Sequence, residues 1–127
     1  MKFAAVAPTM GRGAVREKQK RDRAAAPRLR TRFPDLHSLR VEFEFSDRTE
    51  FLPSPQVTVF HPPAPAYFCF TCPYSDCDGQ FDLTNAIDLT VSDRKPHSDG
   101  QLRCAGTRHG GIPCTLCLEY SVSAHWS

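Results

Sequence analysis

The chain of 127 residues lacks any apolar stretch long enough to span a bilayer. Near the start only residues 3–6 are apolar, Pro8 follows closely, and basic residues occupy the position of a signal-peptide cleavage site. We therefore expect no membrane segment, no secretory leader and a cytoplasmic location.

Large apolar residues are also scarce in residues 1–32, which hold ten Lys and Arg against two acidic residues. Such a segment buries too little apolar surface to offset its ordering entropy, so we expect a disordered basic arm in the free protein. Residues 33–127 have the opposite balance, six Lys and Arg against twelve acidic residues. A chain of this length has room for one domain at most, and we place it at residues 33–127.

No cysteine lies outside the stretch from Cys69 to Cys117, which contains all six. In a short secreted chain an even number of cysteines would indicate disulfides. Without a secretory signal, reduced thiols are favoured, and a metal site becomes a better explanation than three disulfide bonds.

Alternation of apolar and polar residues predicts the first strand, with Leu39, Val41, Phe43 and Phe45 on the buried face. Further strands are expected at residues 57–60, 67–71 and 81–83. Prolines at 53, 55, 62, 63 and 65 remove backbone donors, so this stretch should be extended at a sheet edge.

The C-terminal part is predicted to contain at most one short helix, at residues 84–89, with Thr84 or Asp82 as its N-cap. Residues 93–100 have the composition of a polar turn, and residues 101–106 and 113–124 that of a long hairpin. The fold class is therefore mostly β, a small α+β domain of antiparallel strands. Six phenylalanines are expected in the core and not on a base-stacking surface: Phe43, Phe45, Phe60, Phe68, Phe70 and Phe81.

Two hairpins can each offer a pair of thiolates to one ion, and the favoured ligands are Cys72, Cys77, Cys104 and Cys114. Gly79 and Gly106 follow Cys77 and Cys104 at the second position, where they permit a tight loop and let backbone N–H groups approach sulfur. Four thiolates suit a tetrahedral structural zinc, which leaves no open position for a substrate.

Two alternatives to this ligand set remain open. One is the double pair Cys69-x-x-Cys72 with Cys114-x-x-Cys117, although residues three apart in a strand point to opposite faces. The other is that the chain binds no metal. His109, in a glycine-rich turn, is a possible substitute ligand, whereas His97 and His125 are expected to be solvated.

Residues 72–124 resemble the zinc-ribbon class, in which two hairpins each supply two cysteines at their tips. The residues that carry the resemblance are Cys72-Pro73 through Cys77-Asp78-Gly79, and Cys104-Ala105-Gly106 with Cys114. The class implies a zinc-stabilised module that is common in nucleic-acid and protein-assembly machinery.

Four aspartates near the first hairpin are expected to form a solvated acidic face: Asp76, Asp78, Asp82 and Asp88.

Three functions are compatible with these features. The first is a non-enzymatic zinc-stabilised module whose basic arm contacts nucleic acid or a ribonucleoprotein. The second is a protein–protein adaptor with no nucleic-acid role, which docks through the acidic body or the proline-rich edge. The third is a thiol redox protein or enzyme that uses Cys69 or Cys117, but neither lies in a setting that would activate a thiol.

Overall fold

The computed structural model describes residues 12–47, 50–51 and 55–126. Strands make up 43% and helices 27% of the structure, and all the described strand pairs are antiparallel, which confirms the predicted class.

The helices are α1 (Arg12–Ala25), α2 (Leu29–Arg32) and α3 (Thr84–Ser92), with a 3₁₀ turn at His109–Gly111. The strands are β1 (Leu36–Asp47), β2 (Glu50–Phe51), β3 (Gln56–Phe60), β4 (Cys69–Thr71), β5 (Gln80–Asp82), β6 (His97–Arg103), β7 (Thr107–Arg108), β8 (Ile112–Pro113) and β9 (Cys117–Trp126).

Strand β1 lies inside a five-stranded sheet and follows the predicted alternation. It pairs with β9 on one side and with β2 and β3 on the other, while β6 pairs with the far side of β9. The four apolar residues that the alternation places on one face of β1 are buried, and they lie opposite Ala124, Val122, Tyr120 and Leu118 of β9. One face of the sheet therefore carries the core.

Strand β6 begins earlier than the sequence predicts, so the polar turn proposed for residues 93–100 is wrong from His97 onward. Gly100 lies directly across from Tyr120, and the phenol ring occupies the space that a side chain at Gly100 would fill. Pairing with β9 therefore overrides the turn-like composition. Between β6 and β9 the chain forms the small hairpin of β7 and β8, which the predicted long hairpin did not include.

The hairpin of β4 and β5 covers the apolar face of the sheet together with α3. Phe70 packs on Phe43 with ring centroids 4.7 Å apart, and Phe81 packs on Phe45 at 5.6 Å. Five of the six phenylalanines named above are buried, and Phe70 packs against the core from a half-buried position. Strand β4 begins at Cys69, two residues after the predicted start.

Helix α3 forms where the sequence predicts a short helix, but it continues to Ser92. Ile87 and Thr90 are buried on its inner side. The N-cap position is occupied by Leu83, and the Asp82 carboxylate accepts from the Thr84 N–H at 3.0 Å and from the Thr84 hydroxyl at 2.5 Å. Asp82 lies one residue before the N-cap position, and its carboxylate still accepts from the first backbone N–H of the helix, that of Thr84.

We expect Asp82→Ala to lower the free energy of unfolding by about 1 kcal/mol, because a helix-start N–H loses its acceptor. Urea denaturation of the variant and the parent measures the difference. Asp93→Ala, at the other end of α3, is the matched control and should be nearly neutral. An equal loss in both variants would contradict a capping role for Asp82.

The expected disorder of residues 1–32 is wrong from residue 12 onward, and residues 1–11 lie outside the described part. Val15 and Leu29 are buried, at 4% and 0% exposure. Helix α2 docks on the proline-rich stretch, where the Leu29 N–H donates to the Ala64 carbonyl at 2.8 Å and the Arg30 N–H to the Pro62 carbonyl at 3.0 Å. Composition alone assigns this segment to disorder. Burial of Val15 and Leu29, together with hydrogen bonds to carbonyls of the proline-rich stretch, orders it.

The proline-rich stretch borders the sheet, as predicted for its described residues; Pro53 lies outside them. Among the described strands, β3 pairs only with β1, so it is an edge strand. The Arg32 Nη2 of α2 donates to both carboxylate oxygens of Asp88 in α3, at 2.6 and 2.7 Å. Helix α2 therefore contacts both the proline-rich stretch and α3.

Candidate metal centre

Four sulfur atoms converge where the β4–β5 hairpin meets the segment between β6 and β9. They belong to Cys72, Cys77, Cys104 and Cys114, lie within 4.8 Å of one another and are buried. The Sγ atoms of Cys72 and Cys114 are 4.0 Å apart, and those of Cys77 and Cys104 are 3.6 Å apart. The cluster can hold a metal ion.

The spacing of the sulfurs distinguishes a metal site from a disulfide. A tetrahedral ion bound at about 2.3 Å from each thiolate requires sulfurs about 3.8 Å apart, whereas a disulfide requires about 2.05 Å. The separations of 3.6 Å between the Cys77 and Cys104 sulfurs and 4.0 Å between those of Cys72 and Cys114 are close to the value for a bound ion and far from that of a disulfide. All six cysteines are free thiols in the structure. The donor set therefore fits one thiophilic ion.

The loop between β4 and β5 brings Cys72 and Cys77 together. The Cys72 N–H donates to the Gly79 carbonyl at 3.1 Å, and the Cys77 N–H donates to the Tyr74 carbonyl at 3.2 Å. The Gly79 N–H donates to the Cys77 Sγ at 3.3 Å. The backbone thus closes a loop with both sulfurs on its inner side.

The second cysteine pair has the same hydrogen bonds, but here the glycine follows the first cysteine of the pair, Cys104, whereas Gly79 follows the second cysteine of its pair. The Gly106 N–H donates to the Cys104 Sγ at 3.4 Å, and the Cys114 N–H donates to the Gly106 carbonyl at 3.0 Å. In both loops a Cys-x-Gly unit supplies one N–H to its own sulfur and one carbonyl to the other cysteine of the pair. Hydrogen bonds from N–H groups to sulfur stabilise the thiolate that a metal requires.

The two glycines lie against each other at the back of the cluster. A Cβ atom at Gly106 would overlap the Gly79 backbone and lie 2.8 Å from the Cys77 Sγ. A Cβ at Gly79 would overlap the Cys104 Sγ. Any side chain here would push the cysteine pairs apart, so the close approach of the loops requires glycine at both positions.

Polar contacts outside the sulfurs lock the two loops together. The Thr107 N–H donates to the Asp78 carboxylate at 2.8 Å, and the Asp78 N–H donates to the Thr107 carbonyl at 3.4 Å. Arg108 donates to the Asp76 carboxylate at 3.0 Å and lies over the Tyr74 ring, 4.1 Å from its centroid. The hydrogen bond from Arg108 lowers the pKa of Asp76.

Asp76 and Asp82 are exposed, as expected for a solvated acidic face, whereas Asp78 and Asp88 are half-buried, and all four have structural partners. Asp76 and Asp78 join the two loops, Asp82 serves the start of α3, and Asp88 pairs with Arg32. A carboxylate beside four thiolates is unfavourable unless a cation or donor compensates it, and each of these aspartates has such a partner.

Burial sets the electrostatics of the sulfurs. It raises the pKa of Cys104 to about 12 and also raises the pKa of Cys72, against the opposing hydrogen bonds from the Gly106 and Tyr74 backbone. The raised pKa values favour the protonated form of Cys72 and Cys104 unless a cation replaces the proton. A metal ion supplies that charge, so metal binding and thiol ionisation are coupled at this site.

Cys69 and Cys117, the outer members of the alternative double pair, do not belong to the sulfur cluster. Cys69 is half-buried at the start of β4, and Cys117 is half-buried in β9 opposite Ser46 and Arg103. The strand alternation explains their exclusion, since neither lies in a loop that turns back on itself.

The histidines considered as ligands lie outside the cluster as well. His109 is exposed in the 3₁₀ turn, and its backbone N–H donates to Asp76 at 3.3 Å. His97 and His125 are exposed, and His97 lies 2.9 Å from the Asp99 carboxylate. Within the described residues, the cysteine cluster is the sole group of metal-type ligands brought together.

Sequence reasoning missed the residues that support the cluster from a distance. The carboxylate of Asp47, at the end of β1, accepts from the Tyr74 hydroxyl at 2.6 Å and from the Thr115 hydroxyl at 2.7 Å. It therefore holds both loops to the sheet. A lone aspartate at a strand end gives no signal of this role, because its partners lie 27 and 68 residues away.

Comparison with protein-family models, with curated proteins and with solved structures finds no match to this chain. No helix in residues 12–47, 50–51 and 55–126 is both long and apolar enough to cross a membrane. Functional inference therefore depends on the chemistry of the site and on the charges around it.

Proposed function

We propose that this protein is a non-enzymatic binding module that is stabilised by one structural zinc ion and contacts nucleic acid, alone or in a ribonucleoprotein, through its basic N-terminal segment. The observation that supports the zinc assignment is the buried cluster of four cysteine sulfurs that lie within 4.8 Å of one another. Zinc prefers thiolates, has no redox chemistry and in closed four-cysteine sites acts structurally. With four protein ligands, no position is open for a substrate.

The nucleic-acid assignment is supported by the distribution of charge on α1. Val15 and Gln19 face the rest of the protein and are buried. At 100° per residue, Arg16, Lys20 and Arg23 share one flank of the exposed surface. Arg23 lies over the Tyr67 ring, 5.2 Å from its centroid, while Arg16 and Lys20 are exposed and make no ion pair with any described residue. We call these three residues the basic flank.

The opposite flank of α1 also carries two cations, Lys18 and Arg21, but there an acid lies beside them. Lys18 is paired with Asp22 at 2.7 Å. Unpaired cations on an ordered helix bind phosphates by releasing condensed counterions, and they lose little conformational freedom because the backbone is already fixed. The basic flank is therefore the surface that we assign to the phosphate backbone.

Replacing Arg16 and Lys20 with Gln is expected to weaken RNA binding and to lower the slope of log affinity against log salt by about 1.5, since two phosphate contacts to a single strand are lost. Fluorescence anisotropy with a labelled single-stranded RNA across a salt series measures both quantities. Both residues are exposed, so the fold should be unaffected.

The matched control is Lys18→Gln with Arg21→Gln, which removes the same charge from the other flank of α1. We expect a smaller loss of affinity for this variant. Equal losses in the two variants would refute the basic flank as a defined surface, and absence of binding by the parent protein at low salt would refute the nucleic-acid role. Deletion of residues 1–32 is a poorer test because it also removes buried Val15 and Leu29.

A protein–protein adaptor is the second candidate, and the open face of the sheet favours it. A groove of about 370 Å³ there is lined by four carboxylates, those of Glu42, Glu44, Asp99 and Glu119. Glu44 and Glu119 lie directly opposite each other, an arrangement of like charges that costs stability and that a basic partner would relieve. An RNA-binding failure in the salt series would favour this candidate.

Thiol chemistry has less support. Cys69 is half-buried, and burial raises its pKa, which disfavours the thiolate that such chemistry needs. We therefore propose no catalytic residue.

A further inference from the structure

Gln19 is a polar side chain buried in the contact between α1 and the β4–β5 hairpin. It is 6% exposed, although the residues beside it on the helix are exposed. Its Nε2 donates to the Gln80 side-chain oxygen at 2.8 Å, and its Oε1 accepts from the Thr71 hydroxyl at 2.5 Å. One amide therefore holds both strands of the hairpin.

The two partners of Gln19 lie next to the cysteine loop, both in the sequence and in the pairing of β4 with β5. Thr71 directly precedes Cys72, and Gln80 directly follows Gly79. Thr71 and Gln80 are also paired across the hairpin, at its last pair before the cysteine loop. The Gln19 amide thus bridges the hairpin at the point where it opens into the loop that holds Cys72 and Cys77.

We propose that Gln19 is a positioning residue that couples metal retention by the four cysteines to docking of the basic helix α1. Closing the hairpin around a metal sets Thr71 and Gln80 at the separation that the amide spans. Docking of α1 in turn holds the hairpin closed and slows metal loss. The link to nucleic acid rests on the proposed function, whereas the link between helix and metal does not.

Reciprocity of linked binding gives the consequence for the partner. If RNA binds α1 in its docked position, metal tightens RNA binding by the same factor by which RNA tightens metal binding. Loss of the metal would release the basic flank from its fixed orientation. The metal centre would then control how the helix is presented to RNA.

The test uses the full chain loaded with zinc and two variants, Gln19→Ala and the control Arg21→Ala, which alters an exposed residue of the same helix. Zinc transfer to an excess of a chromogenic chelator is followed at neutral pH. We expect release about tenfold faster from Gln19→Ala, because two hydrogen bonds that close the hairpin are lost. Release from the control should match that from the parent.

Hydrogen exchange provides the second readout. In zinc-loaded Gln19→Ala, the amides of α1 should lose protection while those of β1 and β9 keep it, which shows that the sheet is intact. Unchanged zinc release would overturn the proposal, with or without loss of protection in α1. If Gln19→Ala does not fold, Thr71→Val removes one of the two bonds at nearly constant volume, and it must also release zinc faster for the proposal to stand.

Neither readout involves RNA, so the two proposals can fail separately. Faster zinc release from Gln19→Ala together with no RNA binding by the parent would support the coupling and refute the nucleic-acid role. RNA binding by the parent with equal zinc release from all variants would refute the coupling alone.

Discussion

Serine at Cys77 or at Cys104 is expected to abolish stoichiometric zinc binding and to unfold most of the protein. Metal binding in structural sites contributes on the order of 10 kcal/mol, comparable with the whole stability of a domain, about 5–15 kcal/mol. Both cysteines are also part of the same buried cluster as the phenylalanines of the sheet, so the damage cannot stay confined to the loops. Circular dichroism melting and metal content of each purified variant measure the two effects.

Cys117→Ser is the matched control for those variants. Cys117 is half-buried in β9 and lies outside the sulfur cluster, so its replacement should leave zinc content unchanged and cost little stability. Equal damage from Cys77→Ser, Cys104→Ser and Cys117→Ser would contradict the ligand assignment.

Alanine at Gly106 is expected to cost about 3 kcal/mol or more, although it adds a single methyl group. That methyl group would overlap the Gly79 backbone and approach the Cys77 sulfur, and neither backbone can move without separating the cysteine pairs. Chemical denaturation of the zinc-loaded variant measures the loss. Zinc affinity should fall with it, because the same displacement distorts the ligand geometry.

Gly13→Ala is the control for a glycine without such neighbours. Gly13 lies in α1, and a Cβ there meets no atom within 4 Å. Alanine is the better helix former by about 0.5–1 kcal/mol, so this variant should be neutral or slightly more stable. A neutral effect at Gly106 would contradict the close packing of the two loops.

Local patterns were sufficient to predict the antiparallel β class, the buried face of β1 and the cysteines that converge. The alternation in β1 identified its buried face, because a strand between two neighbours buries every second residue. Gly79 and Gly106 marked the loops in which two sulfurs can turn toward one point. These features depend on residues that are close in sequence.

The features that the sequence did not reveal all depend on distant partners. Gln19 ties helix α1 to Thr71 and Gln80, which lie 52 and 61 residues away. Strand β6 extends through Gly100 because the Tyr120 ring lies across it. Composition counts the apolar and charged residues of a segment, but it carries no information on what the rest of the chain offers that segment.

The buried sulfur cluster also changes how the small core is understood. The four cysteines are continuous with a hydrophobic cluster that includes Phe81, Leu116 and Leu118. A metal there would hold the two loops as part of that core, so its loss would disturb the packing of the sheet as well as the loops.

Elemental analysis of the purified full-length protein, combined with its measured protein concentration, tests the central claim most directly. We expect one zinc ion per chain, and we expect its removal by a chelator to be accompanied by loss of the β-sheet signal in circular dichroism. A folded protein that contains no stoichiometric metal, and that keeps its structure in excess chelator, would contradict the metal centre.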